Sequence, residues 1–396
     1  MSERDPLAVV AEQVQRHRTD LIALSRSLHA EPELAFEEHR SAAKTQTLAA
    51  ERGFEVESGT GGLPTAFRAV YGDGELVVGI CAEYDALPGL GHACGHNIIA
   101  AAGVGAALAL AEVADVLDLT VVLLGTPAEE AGGGKALLLE AGVFNDIAAC
   151  VMVHPGPLDI ERPRSLALSD VAVTFTGREA HAAVAPFAGL NAADAATVAQ
   201  VAVGLLRQQL EPGQMVHGIV TDGGQAANVI PAQAAMRYIM RAADSSALEQ
   251  LRRRVTDCFR AGAIAAGCQF DVVDTEPRYL ELAPDQWLSA VFGEELLRLG
   301  RQPVGPGEPA AIAPFGSTDM GNVSHAMPAI HPTIGIDAQG ASIHQAAFAA
   351  AAGSPSGDAA VIDGAVTLAR TLVRLARSSA QRDRVSALNK APERPR

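Results

Sequence analysis

The chain has 396 residues, of which 30 are Lys or Arg and 46 are Asp or Glu, so its formal net charge is −16. This negative charge argues against nucleic acid or an anionic membrane surface as a partner, because both require a basic surface. It does not exclude a small anionic substrate, which one or two local Arg or Lys residues can bind. A typical domain has roughly 100–200 residues, so the length predicts two domains or one domain with an insertion.

Two features of the sequence predict a cytoplasmic protein. The N-terminal residues lack the apolar segment of a signal peptide, and polar residues interrupt every apolar run before it reaches the length of a membrane span, about 18 residues. The five cysteines are an odd and sparse set in a chain of this length. A disulfide framework is therefore not expected, and a reducing compartment fits better.

The first half of the chain alternates between helical and strand-like patterns. The first fifty residues have apolar side chains at helical spacing, with a break at Pro32. Three short apolar runs follow without alternation, which predicts strands buried on both faces. They cover residues 76–82, 119–125 and 148–153, and helical stretches at 97–117 and 134–142 separate them. This order predicts an α/β fold whose mostly parallel sheet carries helices on both faces.

The pattern changes at about residue 169. Partly alternating runs and two long helical stretches predict an inserted α+β domain over residues 169–278. The chain then returns to α/β character at 279–377, with a strand at 331–336 and a helix at 358–377. Residues 1–168 and 279–377 would together form the catalytic domain. The polar tail, 378–396, is predicted to be disordered.

Polar residues follow each of the three buried runs directly. Ligands of α/β sheets bind beyond the carboxyl ends of the strands, so these residues should converge in one crevice. They are Asp85, Cys94, His96, Glu129, Glu130 and His154.

The residue types in this set favour a metal site. A thiolate and an imidazole suit zinc, and carboxylates extend the choice to manganese. Cys94 and His96 can face one point if Gly95 allows a tight turn. The Cys-x-His pattern is weak alone, and its weight comes from the neighbouring strand ends.

The adjacent carboxylates Glu129 and Glu130 predict a division of labour. One can bind metal while the other takes a proton from a water whose pKa the metal lowers. We assign Glu130 to the metal and Glu129 to the base, although chemistry alone also admits the reverse. The AGGGK segment that follows does not have the spacing of a phosphate-binding loop and is predicted to be a flexible turn.

Motifs along nearly the whole chain, to about residue 377, resemble those of one enzyme family. The segments LHAEPELAFEEHRSA, AEYDALPGLGHACGHN, GTPAEEAGGGK, VMVHPG, GREAHAAVAP, GGQAANVIP, GSTDMGNVS and IHQAAF occur in its order. The family is that of dinuclear metallo-amidohydrolases, which includes aminoacylases, glutamate carboxypeptidases and hippurate- and auxin-conjugate hydrolases. AEYDALPGLGHACGHN resembles the branch of p-aminobenzoyl-glutamate hydrolase and β-alanyl-lysine-type dipeptidases.

The resemblance implies two divalent metal ions per subunit, Zn or Mn, and Glu129 as general base. Its implied metal ligands are Cys94, His96, Glu130, His154 and His344. Peptidase members carry His-x-Asp where this chain has Glu83-Tyr84-Asp85. Asp85 is therefore expected to orient a ligand, and the role of Glu83 is left open.

The inserted domain resembles the family's lid and dimerisation domain. The resemblance implies that His181 reaches the active site of a partner subunit and stabilises an oxyanion there. It also implies that Asn228 and Arg241 bind the substrate's carboxylate or carbonyl. A homodimer is expected, with a related second subunit as an alternative, and the roles of His217 and Asp319 are left open.

The predicted reaction is hydrolysis of an amide bond in an N-acyl or N-aroyl amino acid or a small dipeptide carrying a carboxylate. A broad aminoacylase- or hippurate-type amidohydrolase is the alternative. Further alternatives are a cysteine hydrolase using Cys94 with His96 or His92, and a non-catalytic scaffold. The sequence does not decide between zinc and manganese.

Overall fold

A computed structural model gives the fold and describes residues 4–314 and 316–389. The chain divides into two compact units. The first runs to Arg164 and resumes at Leu282, and the second comprises Ser165–Glu281. The second unit thus begins at 165 rather than at the predicted 169, and ends at 281 rather than at 278.

The secondary structure is numbered in chain order. The strands are β1 (Glu55–Ser58), β2 (Phe67–Tyr71), β3 (Leu76–Ala82), β4 (Leu119–Gly125), β5 (Ala149–Val151), β6 (His154–Gly156), β7 (Ala167–Thr176), β8 (Ala180–His181), β9 (Met215–Asp222), β10 (Val229–Ile230), β11 (Gln233–Ala242), β12 (Gln269–Asp274), β13 (Ala329–Ile330) and β14 (Thr333–Gly335). The helices are α1 (Pro6–Arg16), α2 (Arg18–Ala30), α3 (His39–Ala50), α4 (His96–Ala111), α5 (Ala114–Leu117), α6 (Gly134–Glu140), α7 (Ala192–Leu206), α8 (Ser245–Ala266), α9 (Gln286–Arg298), α10 (Pro309–Ile312), α11 (Met320–Ala326), α12 (Ala346–Ala352), α13 (Pro355–Arg377) and α14 (Ser379–Asn389).

The sheet of the first unit has the strand order β1-β2-β4-β3-β5-β13. Strands β4, β3, β5 and β13 are parallel, while β1 and β2 run antiparallel at one edge. A short parallel pair, β6 with β14, lies beyond the ends of β5 and β13 along the chain. The predicted α/β fold with a mostly parallel sheet is confirmed, and the antiparallel β1–β2 hairpin adds to it.

Alternate residues of the central strands face two different cores. Ile80 and Leu123 belong to a core that includes α4 and α13, whereas their neighbours Cys81 and Leu124 belong to a core with α6 and α11. Both faces of the sheet are therefore apolar, which explains why the runs 76–82 and 119–125 do not alternate.

Helix α4 is the central helix of the first unit, and it is buried from His96 to Leu110. Its small residues permit close contact with α2 and α13. A Cβ added at Gly105 would lie 2.8 Å from atoms of both Ala365 and Leu21. Within the described residues, no helix is both long and apolar enough to cross a membrane.

The second unit is an α+β sandwich. Its main sheet is antiparallel with the order β12-β7-β11-β9. Side chains of β7 and β11, such as Phe175 and Met236, form one core with α7 and α8. The runs from which this insertion was predicted correspond to β7, β9 and β11.

The structure contradicts the prediction of a disordered tail over much of 378–396. Ser379–Asn389 form α14, in which Val385 is buried. Arg384 donates to both carboxylate oxygens of Asp285, at 2.7 and 3.1 Å, and Arg382 donates to the carbonyl of Leu117. These partners are far away in the sequence, so local composition did not reveal them. Residues 390–396 lie outside the described part of the chain.

Truncation after Ser378 is predicted to lower the free energy of unfolding of the protein. The loss should be about 2–3 kcal/mol, because burial of one Val side chain alone contributes roughly 1.5–3 kcal/mol. Urea unfolding followed by circular dichroism measures it, and truncation after Asn389 is the control that keeps α14. Equal midpoints for the two truncations would show that α14 does not stabilise the fold.

Candidate metal centre

The structure brings together the predicted residues that follow the strands of the first unit. Glu83 and Asp85 follow β3, Glu129 and Glu130 follow β4, and His154 begins β6. Cys94 and His96 lie where the chain returns from β3 into α4. All of these residues except Glu130 are buried.

Two groups of potential ligands share one thiol. Cys94, His96 and His154 form one group, and Cys94, Glu130 and His344 form the other. Within each group the ligand atoms lie within 4.8 Å of one another. Thiol, imidazole and carboxylate donors at these separations suit two neighbouring late first-row ions.

The turn between Cys94 and His96 depends on Gly95. Gly95 has φ +76°, and a Cβ at this position would lie 2.4 Å from Cγ of Pro155. A residue with a side chain would be strained by its backbone and would also collide with Pro155. Glycine therefore allows both predicted ligands to face the same space while α4 begins at His96.

Asp85 orients two of the predicted ligands. One carboxylate oxygen accepts a hydrogen bond from Nδ1 of His96 and the other from the backbone N–H of Glu130, both at 2.9 Å. With Nδ1 engaged, Nε2 is the ring atom of His96 directed at the site. It is buried and has no hydrogen-bond partner among the described residues. An imidazole held by a carboxylate in this way is a common arrangement behind a metal ligand.

Charge interactions strongly affect the ionisation of this cluster. Burial alone would lower the pKa of His96, but the Asp85 carboxylate raises it well above its usual value. Burial, and then the charge of His96, lower the pKa of His154 to about 4. A neutral imidazole is the form that binds metal, and a bound cation would favour that form for both histidines.

The pKa values of the neighbouring carboxyl groups of Glu129 and Glu130 shift in opposite directions. Burial and the charges of Glu83 and Glu130 raise the pKa of Glu129 well above its usual value. Burial has the same tendency at Glu130, but its hydrogen bond with His344 lowers the pKa of that carboxyl. Adjacent carboxyl groups with pKa values that differ in this way are typical of sites in which one group binds or releases a proton and the other stays ionised.

His344 enters the site from a distant loop in an uncommon conformation. Its φ is +64°, and its backbone N–H donates to the carbonyl of Ala93, next to Cys94, at 2.9 Å. Its Nε2 lies 3.4 Å from Oε2 of Glu130, and that hydrogen bond raises the pKa of the half-exposed His344 ring. The backbone bond thus ties His344 to the loop that carries Cys94.

The AGGGK segment, predicted to be a flexible turn, forms a turn at residues 131–132 and ends in a buried lysine at the start of α6. The Lys135 side chain is fully buried, with Nζ 2.5 Å from Glu83 and 2.6 Å from Asp319. Its backbone N–H also donates to Asp319 at 2.8 Å. Burial would lower the pKa of Lys135, but Asp319 and Glu83 raise it well above its usual value. Glu83 and Asp319, whose roles the sequence left open, are therefore the counter-charges of this ammonium group.

Sequence reasoning missed Lys135 because its partners come from remote segments, one of them 184 positions away. It also missed His331, which is buried with its ring centroid 5.3 Å from that of His154. The sequence did contain one signal for Lys135, because this lysine directly follows a glycine run and lies at the start of an apolar helix.

The other predicted residues belong to the second unit. His181 in β8 pairs with Val229 in β10, and the N–H of Ala182 donates to the carbonyl of Asn228. This unit thus places His181 and Asn228 side by side, both exposed. Arg241 is half-buried at the end of β11, and its Nε has no hydrogen-bond partner in the described residues. Burial, and then the charge of Arg241, lower the pKa of His217.

Known proteins match both units. The family described as peptidase dimerisation domain matches residues 167–266. The Xaa-Arg dipeptidase of Mus musculus is 40% identical over 383 residues, which cover 91% of this chain and 86% of the mouse protein. One subunit of the p-aminobenzoyl-glutamate hydrolase of Escherichia coli is 32% identical over 265 residues, covering 61% of this chain and 55% of that subunit.

A solved structure shares the fold. It is a dinuclear metal-binding peptidase of the M20 family from Bacillus subtilis, which superposes with a TM-score of 0.67 at 24% identity. The match covers 91% of this chain and 99% of that one. The resemblance inferred from the motifs is confirmed. The chain belongs to the M20 family of metal-dependent peptidases and amidohydrolases.

Proposed function

We propose that this protein hydrolyses the amide bond of a small dipeptide or N-acyl amino acid, with two divalent ions held by Cys94, His96, Glu130, His154 and His344. The observation that carries the proposal is the pair of ligand groups that share Cys94. Asp85 supports the same assignment, because it fixes the ring of His96 and the backbone of Glu130.

The bound metal would supply Lewis acidity and lower the pKa of a water. Glu129 is the residue that takes the proton from the attacking water and returns it to the leaving amine. Its carboxylate belongs to a third group with His96 and Glu83, within 4.8 Å of one another, so it lies beside the ligands. Lys135 holds Glu83, which leaves Glu129 as the carboxylate of this group able to act as the base.

The substrate carries a carboxylate, which Arg241 and Asn228 bind. The half-buried Arg241 guanidinium has an unsatisfied Nε, and a guanidinium suits a carboxylate in both geometry and charge. Two relatives are named for Xaa-Arg dipeptides and for p-aminobenzoyl-glutamate, and both names describe an amide whose amine part is an amino acid. We favour a dipeptide with a basic C-terminal residue, because the first relative matches over most of both chains.

Glu129→Gln should bind metal at wild-type stoichiometry and lose turnover by about 10²–10⁴-fold, the usual contribution of a general base. Metal analysis and initial rates on Xaa-Arg dipeptides, p-aminobenzoyl-glutamate and N-acyl amino acids measure both effects. Glu140→Gln, which alters an exposed glutamate on α6, is the matched control.

Two results would contradict this proposal. Near-normal turnover of metal-replete Glu129→Gln would remove Glu129 as the base. Full activity after chelation and complete metal removal would favour a thiol nucleophile at Cys94 instead. The substrate panel separates a basic dipeptide specificity from a broad N-acyl-amino-acid activity.

We also propose that two copies associate through the second unit. Strand β9 is an edge of its sheet and exposes Ile219 and Val220. Helix α7 exposes Val201 and Leu205 on one face, and Arg207 at its end donates to a carbonyl of β9 at 3.2 Å. An unpaired edge beside an apolar helix face is a surface that invites pairing with another copy. The match of this segment to a dimerisation domain supports a second copy as the occupant.

The double variant Val201→Glu/Leu205→Glu should be monomeric. Association through a twofold interface would bury the new carboxylates of one copy against the same carboxylates of the other. Light scattering after size exclusion measures the mass, and Ile264→Glu, equally exposed on α8, is the control. If His181 acts in the partner's site, the monomer should retain metal and lose turnover. A dimeric variant would contradict the interface, and a fully active monomer would contradict the role of His181.

A further inference from the structure

The loop that carries Glu129 contacts a segment from the N-terminal part of the chain. This loop covers residues 126–133, between β4 and α6. The segment covers residues 33–38, just before α3. Neither the predicted ligands nor the base come from this segment, so its contacts with the loop call for a different explanation.

The loop has an unfavourable backbone conformation next to the base. Ala128 immediately precedes Glu129, is fully buried and has φ +60°. The left-handed region is disfavoured for a residue with a Cβ, so neighbouring contacts must hold it there. The bond from the N–H of Gly134 to the carbonyl of Ala128, at 3.3 Å, closes the loop from within.

Glu38 supplies the corresponding contact from outside the loop. Its carboxylate accepts a hydrogen bond from the backbone N–H of Ala128 at 2.8 Å, and its side chain is fully buried. Its own backbone is fixed, because its carbonyl accepts from the N–H of Ala42 in α3 at 2.8 Å. Glu38 therefore links the start of a regular helix to the strained residue before Glu129.

Phe36 contacts the other side of the same loop. A Cβ built on Gly132 would lie 2.3 Å from Cε2 of the Phe36 ring, so the ring occupies the space beside that glycine. Phe36 itself has φ +62°, which indicates that tertiary contacts determine its position. The loop is thus held at Ala128 by a hydrogen bond and at Gly132 by an aromatic ring.

We propose that Phe36 and Glu38 are positioning residues that clamp loop 126–133 in the conformation that aims Glu129 at the reacting centre. The inference rests on the proposed role of Glu129 as base. A displacement of about 1 Å at a reacting group can lower turnover by roughly 10²-fold, so a clamp at this loop has catalytic consequences without touching substrate.

The role assigned to Glu38 requires a hydrogen-bond acceptor on a side chain of the same shape, but it does not require a negative charge. Burial, and then the Asp85 carboxylate, raise the pKa of Glu38 to about 7, so its environment tolerates the uncharged form. Glu38→Gln keeps a side-chain oxygen for the N–H of Ala128, whereas Glu38→Leu fills a similar volume with no acceptor. The neighbouring Glu37 is mostly exposed, and Glu37→Leu is the matched control.

Glu38→Leu should lower kcat by about 10–100-fold at an unchanged KM and an unchanged metal content, as expected of a misplaced base. Hydrogen–deuterium exchange of amides 126–134 should accelerate in this variant and in Phe36→Leu, with the exchange of α4 unaltered. Glu38→Gln and Glu37→Leu should resemble the wild type in all these measurements. Ala128→Gly should restore part of the lost kcat in the Glu38→Leu background, because glycine adopts φ +60° without strain.

Three outcomes would overturn the clamp: equal losses in Glu38→Gln and Glu38→Leu, faster exchange spread over the whole first unit, or unaltered loop exchange. If Glu38→Leu does not fold, Phe36→Leu and Glu38→Gln decide the matter through the same exchange measurement. The exchange readout does not depend on turnover. A failure of Glu129 as base would therefore appear as full activity of Glu129→Gln, while a failure of the clamp would appear as an unchanged loop.

Discussion

One buried carboxylate holds the centre together. Asp85 bonds to the ring of His96 at the start of α4 and to the backbone of Glu130 after β4. It thereby fixes predicted ligands from two segments relative to the loop that follows β3. Removing one partner from a buried, hydrogen-bonded pair leaves a costly unpaired charge, so these three residues are expected to behave as a unit. The positions of Cys94 and His344 follow from the same arrangement, since both attach to the loop that ends at His96.

The centre concentrates carboxylates where water is largely excluded, and such a cluster requires compensation. Lys135 provides it on one side by contacting Glu83 and Asp319. Divalent cations bound to the other ligands would provide it on the remaining side, where Glu130 stands. In this arrangement the Lys135 ammonium group would neutralise Glu83 and Asp319, and the proposed divalent ions would neutralise the remaining carboxylates. The same arrangement also accounts for the buried carboxylate of Glu83, which has the Lys135 ammonium group as its counter-charge.

The sequence was a good guide wherever local pattern decides the structure. The buried runs 76–82 and 119–125 became β3 and β4 with the predicted bounds, because a strand covered on both faces needs a continuous apolar run. The polar residues at the strand ends then identified side chains that the structure brings within 4.8 Å of one another. Prediction from the sequence failed where long-range contacts decide the structure. Helix α14 depends on Asp285 and Leu117, and the buried position of Lys135 depends on Glu83 and Asp319. The hairpin β1–β2 was missed because both strands are short and β1 is mostly exposed, so neither forms a long apolar run.

The division into units also separates two tasks in the chain. Each residue assigned to metal or to proton transfer lies in the first unit, while the edge strand and the apolar helix face assigned to association lie in the second. Each unit has its own apolar core, so a surface change in one leaves the packing of the other intact. The proposed metal ligands therefore belong to the first unit, and the residues proposed to bind the substrate carboxylate and the oxyanion belong to the second.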